Sequence, residues 1–422
     1  MTWEFGYRLR HTARTSLVLW AVLALALALV CAPAVRWLDA ETDWSVFRYT
    51  PDGARAVLGS FVSSTLTFIV FVLSATLIVV QLASGQLTPR IIALVLTTPG
   101  VKVALSALTF TYAYTLAALG RVEDRVPHLH VSIAVFLNLV CIIVFFRFVQ
   151  QLSNGLRPAS VLQLVADRTE RVIEQVYPVR YDPGQPEVPP NEVLPSSAQV
   201  VEFSGRAGVL VAFGAASLLR LAREADATIE LIPQVGDSVA RGDPLFRISG
   251  AARAIPYAAL RGCVAVGTER TLDQDPRFGF RILVDIGNKA LSPAINDPTT
   301  AVLVLDQLDN LLLHLGQHRL DEGQVRDRDG KLRVVYGTPD WPDFVALAVT
   351  EIRHYGEGSL QVTRRLRAML EHLIAALPED RRSPLRAELA LLGNAVGRSF
   401  QDEEDRKRAA VADYQGIGGS DS

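Results

Sequence analysis

The first 150 residues alternate between long apolar stretches and short polar segments, and no comparable apolar stretch follows them. The longest, Val57–Ala83, contains no charged residue. A helix needs about 20 apolar residues to cross the roughly 30 Å hydrocarbon core of a bilayer, so this stretch predicts a membrane span. Three more stretches predict spans, and the four cover about residues 16–35, 57–83, 101–119 and 131–149.

A cleaved signal peptide is the alternative interpretation of the first apolar stretch. Basic residues precede it, and Ala32-Pro33-Ala34 imitates a processing site. The apolar run is longer than a usual signal-peptide core, and three further spans follow it. We therefore favour an uncleaved first span.

Polar residues recur at a fixed interval in the second predicted span. Ser60, Thr67, Ser74 and Gln81 are seven residues apart, and Ser64 widens the line that they form on a helix. Two interpretations stay open: helix packing through small polar side chains, or the wall of a water-filled pore in a symmetric oligomer. Charged residues lie only at the ends of the four spans, which disfavours a coupled pump.

Basic residues flank the predicted spans unevenly. They lie before the first span, between the second and third, and at or after the end of the fourth: Arg8, Arg10, Arg14, Arg90, Lys102, Arg147 and Arg157. The positive-inside rule then predicts an inner (plasma) membrane protein with both termini in the cytoplasm. Cys263 is the one cysteine after residue 150, which agrees with a reducing compartment.

After residue 150 the pattern changes to short helices and strands. Residues 151–199 predict a helical extension and a proline-rich linker, residues 200–265 a β-rich module, residues 266–408 a helical domain and residues 409–422 a flexible tail. The predicted fold class is a membrane protein with four transmembrane α-helices followed by a cytoplasmic α+β region.

The phrase IELIPQVGDSVARGDPLFRI, at residues 229–248, resembles the hairpin of barrel-sandwich hybrid (lipoyl-like) domains. Carrier members of that class bear a modified lysine at the exposed hairpin. No lysine lies between Lys102 and Lys289. The resemblance implies a small barrel-sandwich-like scaffold without a covalently bound carrier group.

Two phrases contain the densest polar constellation, RTLDQDPRFG at residues 270–279 and ALSPAINDPTT at residues 290–300. The two phrases, and Asp285 between them, supply five candidate ligand or interface residues: Asp273, Asp275, Asp285, Asn296 and Asp297. Carboxylates and amides suit a divalent cation, but Asp or Asn before proline is also usual turn and helix-cap chemistry. We favour the cap interpretation and assign no metal site.

These phrases, following four N-terminal spans, resemble a bacterial family of predicted membrane proteins, domain of unknown function 2254. The segments QLTPR at residues 86–90 and PDW at residues 339–341 fit the same family. The resemblance covers nearly the whole chain and implies topology alone, because the family name carries no activity, substrate or catalytic residue.

No catalytic motif or cofactor-binding fingerprint is present. His314 and His318 are four residues apart but lack an HExxH arrangement, and we expect them to be solvated. A net charge of −2 gives no argument for nucleic acid. The sequence predicts a non-enzymatic homo-oligomer in the lipid bilayer: a channel-like pore with a cytoplasmic regulatory domain, or a non-conducting scaffold or sensor that binds a partner or small ligand.

Overall fold

The computed structural model describes residues 2–41, 49–92, 98–123, 126–155, 157–182, 199–320 and 323–418. The chain divides into two compact units. Arg10–Ser160 forms one, which we call the membrane unit. Met1–Leu9 and Val161–Ser422 form the other, which we call the α+β unit.

Five long helices occupy the described residues of the first part of the chain. They are α1 (Trp3–Thr15), α2 (Leu17–Glu41), α3 (Pro51–Gln86), α4 (Pro99–Leu119) and α5 (His128–Gly155). Helices α2 to α5 contain segments long and apolar enough to cross a membrane, at Leu17–Asp39, Pro51–Leu82, Pro99–Leu119 and His128–Leu152. The four predicted spans are therefore confirmed as helices that can span a bilayer.

Helix α4 is the central helix of the membrane unit, packing against α2, α3 and α5. Half of its apolar segment is buried, against 17%, 22% and 33% for the segments of α2, α3 and α5. One apolar cluster contains Leu58, Tyr114 and Val131, and a second contains Val72 and Leu108. The side chains of α4 therefore mostly contact protein, which is why this span tolerates more polar residues.

The α+β unit contains eight strands and further helices among its described residues. The strands are β1 (Gln199–Glu202), β2 (Gly208–Phe213), β3 (Thr228–Leu231), β4 (Ser238–Val239), β5 (Pro244–Ser249), β6 (Val264–Gly267), β7 (Gln324–Arg326) and β8 (Leu332–Tyr336). The helices are α6 (Pro158–Val176), α7 (Ala215–Glu224), α8 (Tyr257–Arg261), α9 (Pro276–Ala290), α10 (Pro298–Gly316), α11 (Trp341–Gly356), α12 (Leu360–Ala376), α13 (Glu379–Ser399) and α14 (Glu403–Ala409).

The strands form two sheets. The five-stranded sheet has the order β1-β5-β3-β8-β7, in which β3 and β8 are parallel and the other neighbours antiparallel. The three-stranded sheet has the order β4-β2-β6 and is antiparallel. Leu210, Leu218, Ile229, Phe246 and Val334 share one buried core between these strands and α7.

The prediction of a barrel-sandwich-like module is wrong, because the described strands form no closed barrel. The phrase that suggested it forms β3, β4 and β5. However, β4 pairs with β2 in the smaller sheet, and β3 pairs with β8. Strand β8 lies outside the predicted module of residues 200–265, so the larger sheet is completed by a hairpin from much later in the chain.

The helical part of the unit follows local capping rules. Asp275, Asp297, Asp340 and Ser359 each accept a hydrogen bond from a backbone N–H in the first turn of α9, α10, α11 and α12, respectively. Helix α9 packs against α10 and α11, and α12 packs against α10 and α13. These contacts bury a continuous set of side chains that includes Phe280, Leu308, Phe344 and Leu366.

The predicted flexible tail of residues 409–422 differs from the structure over its described part. Asp413 is 3% exposed and accepts hydrogen bonds from the backbone N–H groups of Gln415, Gly416 and Gly418. The Gln361 amide donates to the carbonyl oxygen of Gly416 at 2.8 Å. The Asp413 carboxylate thus orders this polar segment internally, and the Gln361 amide attaches the segment to α12.

Candidate functional site

The polar stripe of α3 lies on the outer surface of the membrane unit. Its five members, Ser60, Ser64, Thr67, Ser74 and Gln81, are all exposed. The structure therefore places every residue of the predicted stripe on one accessible face. None of the five lies in the packed interior of the unit.

A second line of residues on α3 makes the contacts with the other helices. Leu58, Thr65, Val72 and Val79 are also seven residues apart, and all four are buried. Each helical residue advances about 100°, so a line displaced by two positions lies about 200° away. The polar stripe and the packing face are therefore on opposite sides of α3, and the stripe does not pack against the other helices in the described part of the chain.

Hydroxyl groups near the stripe hydrogen-bond to their own helix. The Ser63 hydroxyl donates to the carbonyl oxygen of Gly59 at 3.1 Å, and the Thr67 hydroxyl donates to that of Ser63 at 2.9 Å. A side chain at Gly59 would meet nothing within 4 Å. The outer face thus presents hydroxyl oxygens that remain able to accept hydrogen bonds from water or a neighbouring helix, together with the exposed apolar side chains of Phe71 and Ile78.

A buried polar network joins three helices of the membrane unit, and sequence analysis did not assign it. The Thr65 hydroxyl donates to Asn138 Oδ1 at 2.7 Å, while Asn138 Nδ2 donates to Thr115 Oγ1 at 3.0 Å and to the Ala134 carbonyl at 2.8 Å. These residues lie on α3, α5 and α4. The lone asparagine within an apolar stretch was the available signal, because an amide buried there needs polar partners.

Asp275, in the first acidic phrase, is a buried helix cap. Its Oδ1 accepts from the Phe278 N–H at 3.2 Å, and the residue is 4% exposed. Its Oδ2 has no hydrogen-bond partner among the described residues. Burial raises the pKa of Asp275 to about 6, while the nearby Arg270 guanidinium acts in the opposite direction. A Cβ at Gly236 would lie 2.8 Å from Oδ2, which explains why glycine suits that position.

Asp273, two residues earlier, binds the start of α1. The Tyr7 hydroxyl donates to Asp273 Oδ2 at 2.6 Å. The pKa of Tyr7 is raised above its usual range, mainly by burial and secondly by this hydrogen bond. Tyr7 stacks on Trp3 with ring centroids 5.4 Å apart. Both rings pack against the small apolar cluster of Val211 and Ala265 on β2 and β6. The start of α1 is therefore docked on the α+β unit.

The backbone and charge of α1 reinforce this docking. The Glu4 N–H donates to the carbonyl oxygen of Gly262 at 3.0 Å. The Glu4 carboxylate lies 3.2 Å from the Arg261 guanidinium. Gln274, between the two aspartates, exchanges hydrogen bonds with the backbone of Phe213 at 3.0 and 3.2 Å. The phrase thus links the smaller sheet to the N-terminal helix.

The end of the same phrase approaches α6. A Cβ at Gly279 would lie 1.9 Å from Thr169 Oγ1, so only glycine permits this approach of α9 to α6. Thr169 is fully buried. We call the contacts of residues 270–279 with Tyr7 and Thr169 the junction. It holds the helix that precedes α2 and the helix that follows α5.

The remaining predicted residues lie elsewhere. Asp285 pairs with Arg281, whose guanidinium also binds Glu351 at 2.6 and 2.8 Å, and Asp297 caps α10. Asn296 is exposed in a loop with φ of 48°. Among the described residues, no three or more His, Cys, Asp or Glu side chains are arranged to hold a metal ion. The five predicted polar residues therefore do not converge on one site.

The predicted solvation of two histidines is not what the structure shows. His318 is 3% exposed, and its Nδ1 lies 2.9 Å from the carbonyl oxygen of His314. His314 lies 3.5 Å from Glu170 of α6, and burial lowers the pKa of its imidazole. The pair fills the contact between α6 and α10.

Four helices able to span a bilayer, together with an α+β unit of mixed sheets, define a candidate four-span membrane protein. The family model described as "Predicted membrane protein (DUF2254)" matches residues 14–372. The chain belongs to this family, which confirms the resemblance seen in its motifs.

Three proteins similar to the chain come from mycobacteria. The chain is similar to an uncharacterized protein of Mycobacterium bovis and to uncharacterized proteins from two strains of Mycobacterium tuberculosis. Each is 31% identical over 382 residues, which cover 86% of this chain and 72% of the relative. No solved structure matches the chain.

Proposed function

We propose that the protein is a homo-oligomeric channel-like pore of the inner membrane, with the α3 stripe facing a water-filled path. The α+β unit is the cytoplasmic regulatory domain. The observation that carries the proposal is the exposure of all five stripe residues opposite the packing face of α3.

The polar side chains of the stripe need hydrogen-bond partners, and this need favours an assembly of several copies of the chain. A hydroxyl bonded to its own helix is tolerated in lipid, but hydrocarbon offers no partner to an outward-facing hydroxyl such as that of Ser64, near the middle of the candidate segment Pro51–Leu82. Rotational symmetry would bring the same stripe from each copy to a common axis. Because the line carries no charge, it would pass water, neutral solutes or ions without the strong charge selection of acidic or basic rings.

The junction supports a regulatory role for the α+β unit. Tyr7 lies on α1, ten residues before the candidate span of α2, and Thr169 lies on α6, which follows α5 in the chain. A displacement of residues 270–279 would act on both helices together. The basic residues flanking the spans, interpreted by the positive-inside rule, support a cytoplasmic location for this unit.

A non-conducting scaffold or sensor is the second candidate, and one observation favours it. Gly59, Ser63 and Thr67 are four residues apart on the exposed side of α3, with the hydroxyls of the last two bonded to their own helix. Small residues at this spacing let two helices pack closely. In this case the stripe would be a dry subunit contact.

Conductance separates the two candidates. We would record single-channel currents from purified protein in a planar bilayer, with Ser74→Trp as the test variant and Leu73→Trp as the matched control. Leu73 is 46% exposed at nearly the same depth but lies about 100° around the helix. We expect current steps in the native protein and in Leu73→Trp, and their loss in Ser74→Trp.

Two further measurements make the result decisive. Both variants must retain the oligomeric mass of the native protein, so that a lost current is not lost assembly. Silence of the native protein across ions, voltages and membrane tension would contradict the pore and favour the scaffold. Cysteines at positions 60, 67 and 74 would then be protected from water-soluble thiol reagents, whereas a pore would leave them reactive.

A further inference from the structure

Helix α1 has two apolar faces with different surroundings. Trp3 and Tyr7 dock on β2 and β6 of the α+β unit. Phe5 and Leu9 point the other way, because they are displaced by two positions, and they are 50% and 60% exposed. One face of α1 is thus covered by protein, while the opposite face presents two large apolar side chains.

The position of α1 in the chain indicates what covers its exposed face. Ser16 separates α1 from α2, and its hydroxyl accepts from the Leu19 N–H at 3.1 Å, as a helix cap does. The candidate span begins at Leu17. Thirteen helical residues extend about 20 Å, so every part of α1 lies within that distance of the start of the span.

The charge of α1 complements an anionic surface. Arg8, Arg10 and Arg14 outnumber the single acidic residue, Glu4, in this helix. The Arg8 side chain is 58% exposed at the border of the Phe5 and Leu9 face and lies 2.8 Å from Glu4. The Glu4 side chain is 19% exposed and also pairs with Arg261 at 3.2 Å, so Glu4 keeps a partner when the exposed Arg8 guanidinium turns to a phosphate. Net positive charge also disfavours the same face of a second copy.

We propose that the exposed face of α1 lies in the interfacial region of the bilayer and binds anionic phospholipid. Phe5 and Leu9 enter the boundary between headgroups and acyl chains, and Arg8 contacts lipid phosphate. Amphipathic helices with this distribution of apolar and basic side chains bind membrane surfaces through buried apolar area and attraction to anionic lipids. The proposal is independent of whether the protein conducts.

Site-specific fluorescence in nanodiscs tests the proposal on the full chain. Single cysteines at position 5 or 9, in a background with alanine at Cys31, Cys141 and Cys263, would carry an NBD label. Tyr355→Cys is the matched control, since Tyr355 is 59% exposed on α11. Doxyl-labelled phosphatidylcholine quenches from the lipid phase, and iodide quenches from water.

We expect doxyl quenching at positions 5 and 9 to exceed that at position 355 by at least about twofold, with the reverse order for iodide. Replacing a quarter of the phosphatidylcholine with phosphatidylglycerol should deepen quenching at position 9. Arg8→Gln should reduce that gain, and Arg8→Lys should retain it. Quenching like that at position 355 would overturn the proposal. Protection from both quenchers would also overturn it and would favour contact with a second copy.

Discussion

At the residue scale, Asp275 makes the α+β unit sensitive to pH. Its folded-state pKa of about 6 lies above the usual 3.8 because the carboxylate is desolvated. The protonated form is therefore favoured on folding, and the stability that it adds is present at low pH and lost as pH rises through about 6. A shift of about two pKa units corresponds to about 3 kcal/mol of unfolding free energy.

We predict that Asp275→Asn removes this component of the pH dependence. Asparagine keeps the oxygen that caps α9 but carries no charge, so the variant should gain stability relative to native protein at pH 8 and not at pH 4. Denaturant unfolding of the full chain across this range measures the difference. Asp297→Asn, the corresponding cap change on α10, controls for the loss of a capping charge. Parallel curves for native protein and Asp275→Asn would contradict the prediction.

Within the membrane unit, Asn138 is the residue whose buried hydrogen bonds join three helices. We predict that Asn138→Leu lowers the unfolding free energy by about 1 kcal/mol, because the hydroxyls of Thr65 and Thr115 lose their amide partner. A double-mutant cycle with Thr65→Val should show a coupling energy of about 0.6–1.7 kcal/mol in detergent unfolding. Additive effects would mean that the hydrogen bond contributes nothing beyond packing.

At the scale of elements, the contact of α6 with α9 depends on the absent side chain of Gly279. We predict that Gly279→Ala destabilises the α+β unit by about 1–3 kcal/mol, because the new methyl group meets Thr169. Thr169→Ala should restore part of the loss by removing the two nearest atoms. Gly393→Ala on α13 is the control, since its Cβ meets nothing within 4 Å and alanine favours a helix. Equal thermal shifts for both glycine variants would contradict the prediction.

Local chemistry accounts for the elements that sequence predicted well. The four spans follow from uninterrupted apolar length, and Asp297 with Pro298 predicts the start of α10, because a cap and the first-turn proline act within one turn. The end of the predicted helical domain forms two helices, α13 and α14. Asp402 caps the second at the Glu404 N–H, a stop and restart that apolar spacing does not show.

Elements with distant partners could not be predicted in the same way. Strand β3 pairs with β8, which lies about 100 residues later in the chain, and no local sequence pattern identifies that partner. In α1, Trp3, Phe5, Tyr7 and Leu9 alternate with other residues, which is the period of a strand. The segment is nevertheless a helix, and it carries apolar side chains on two opposite faces: Trp3 and Tyr7 pack on β2 and β6, and Phe5 and Leu9 are exposed.

At the scale of the whole molecule, the proposed assembly predicts that identical stripe residues from neighbouring copies lie close together. In a cysteine-free background, Ser60→Cys and Ser74→Cys should form disulfide-linked dimers on mild oxidation in membranes, whereas Leu73→Cys should not. Leu73 is exposed at nearly the same depth as Ser74 but off the stripe, so random collisions would link all three variants equally. Selective linkage would support contact through the stripe whether or not the protein conducts. Equal linkage of the three variants would contradict a specific contact through the stripe.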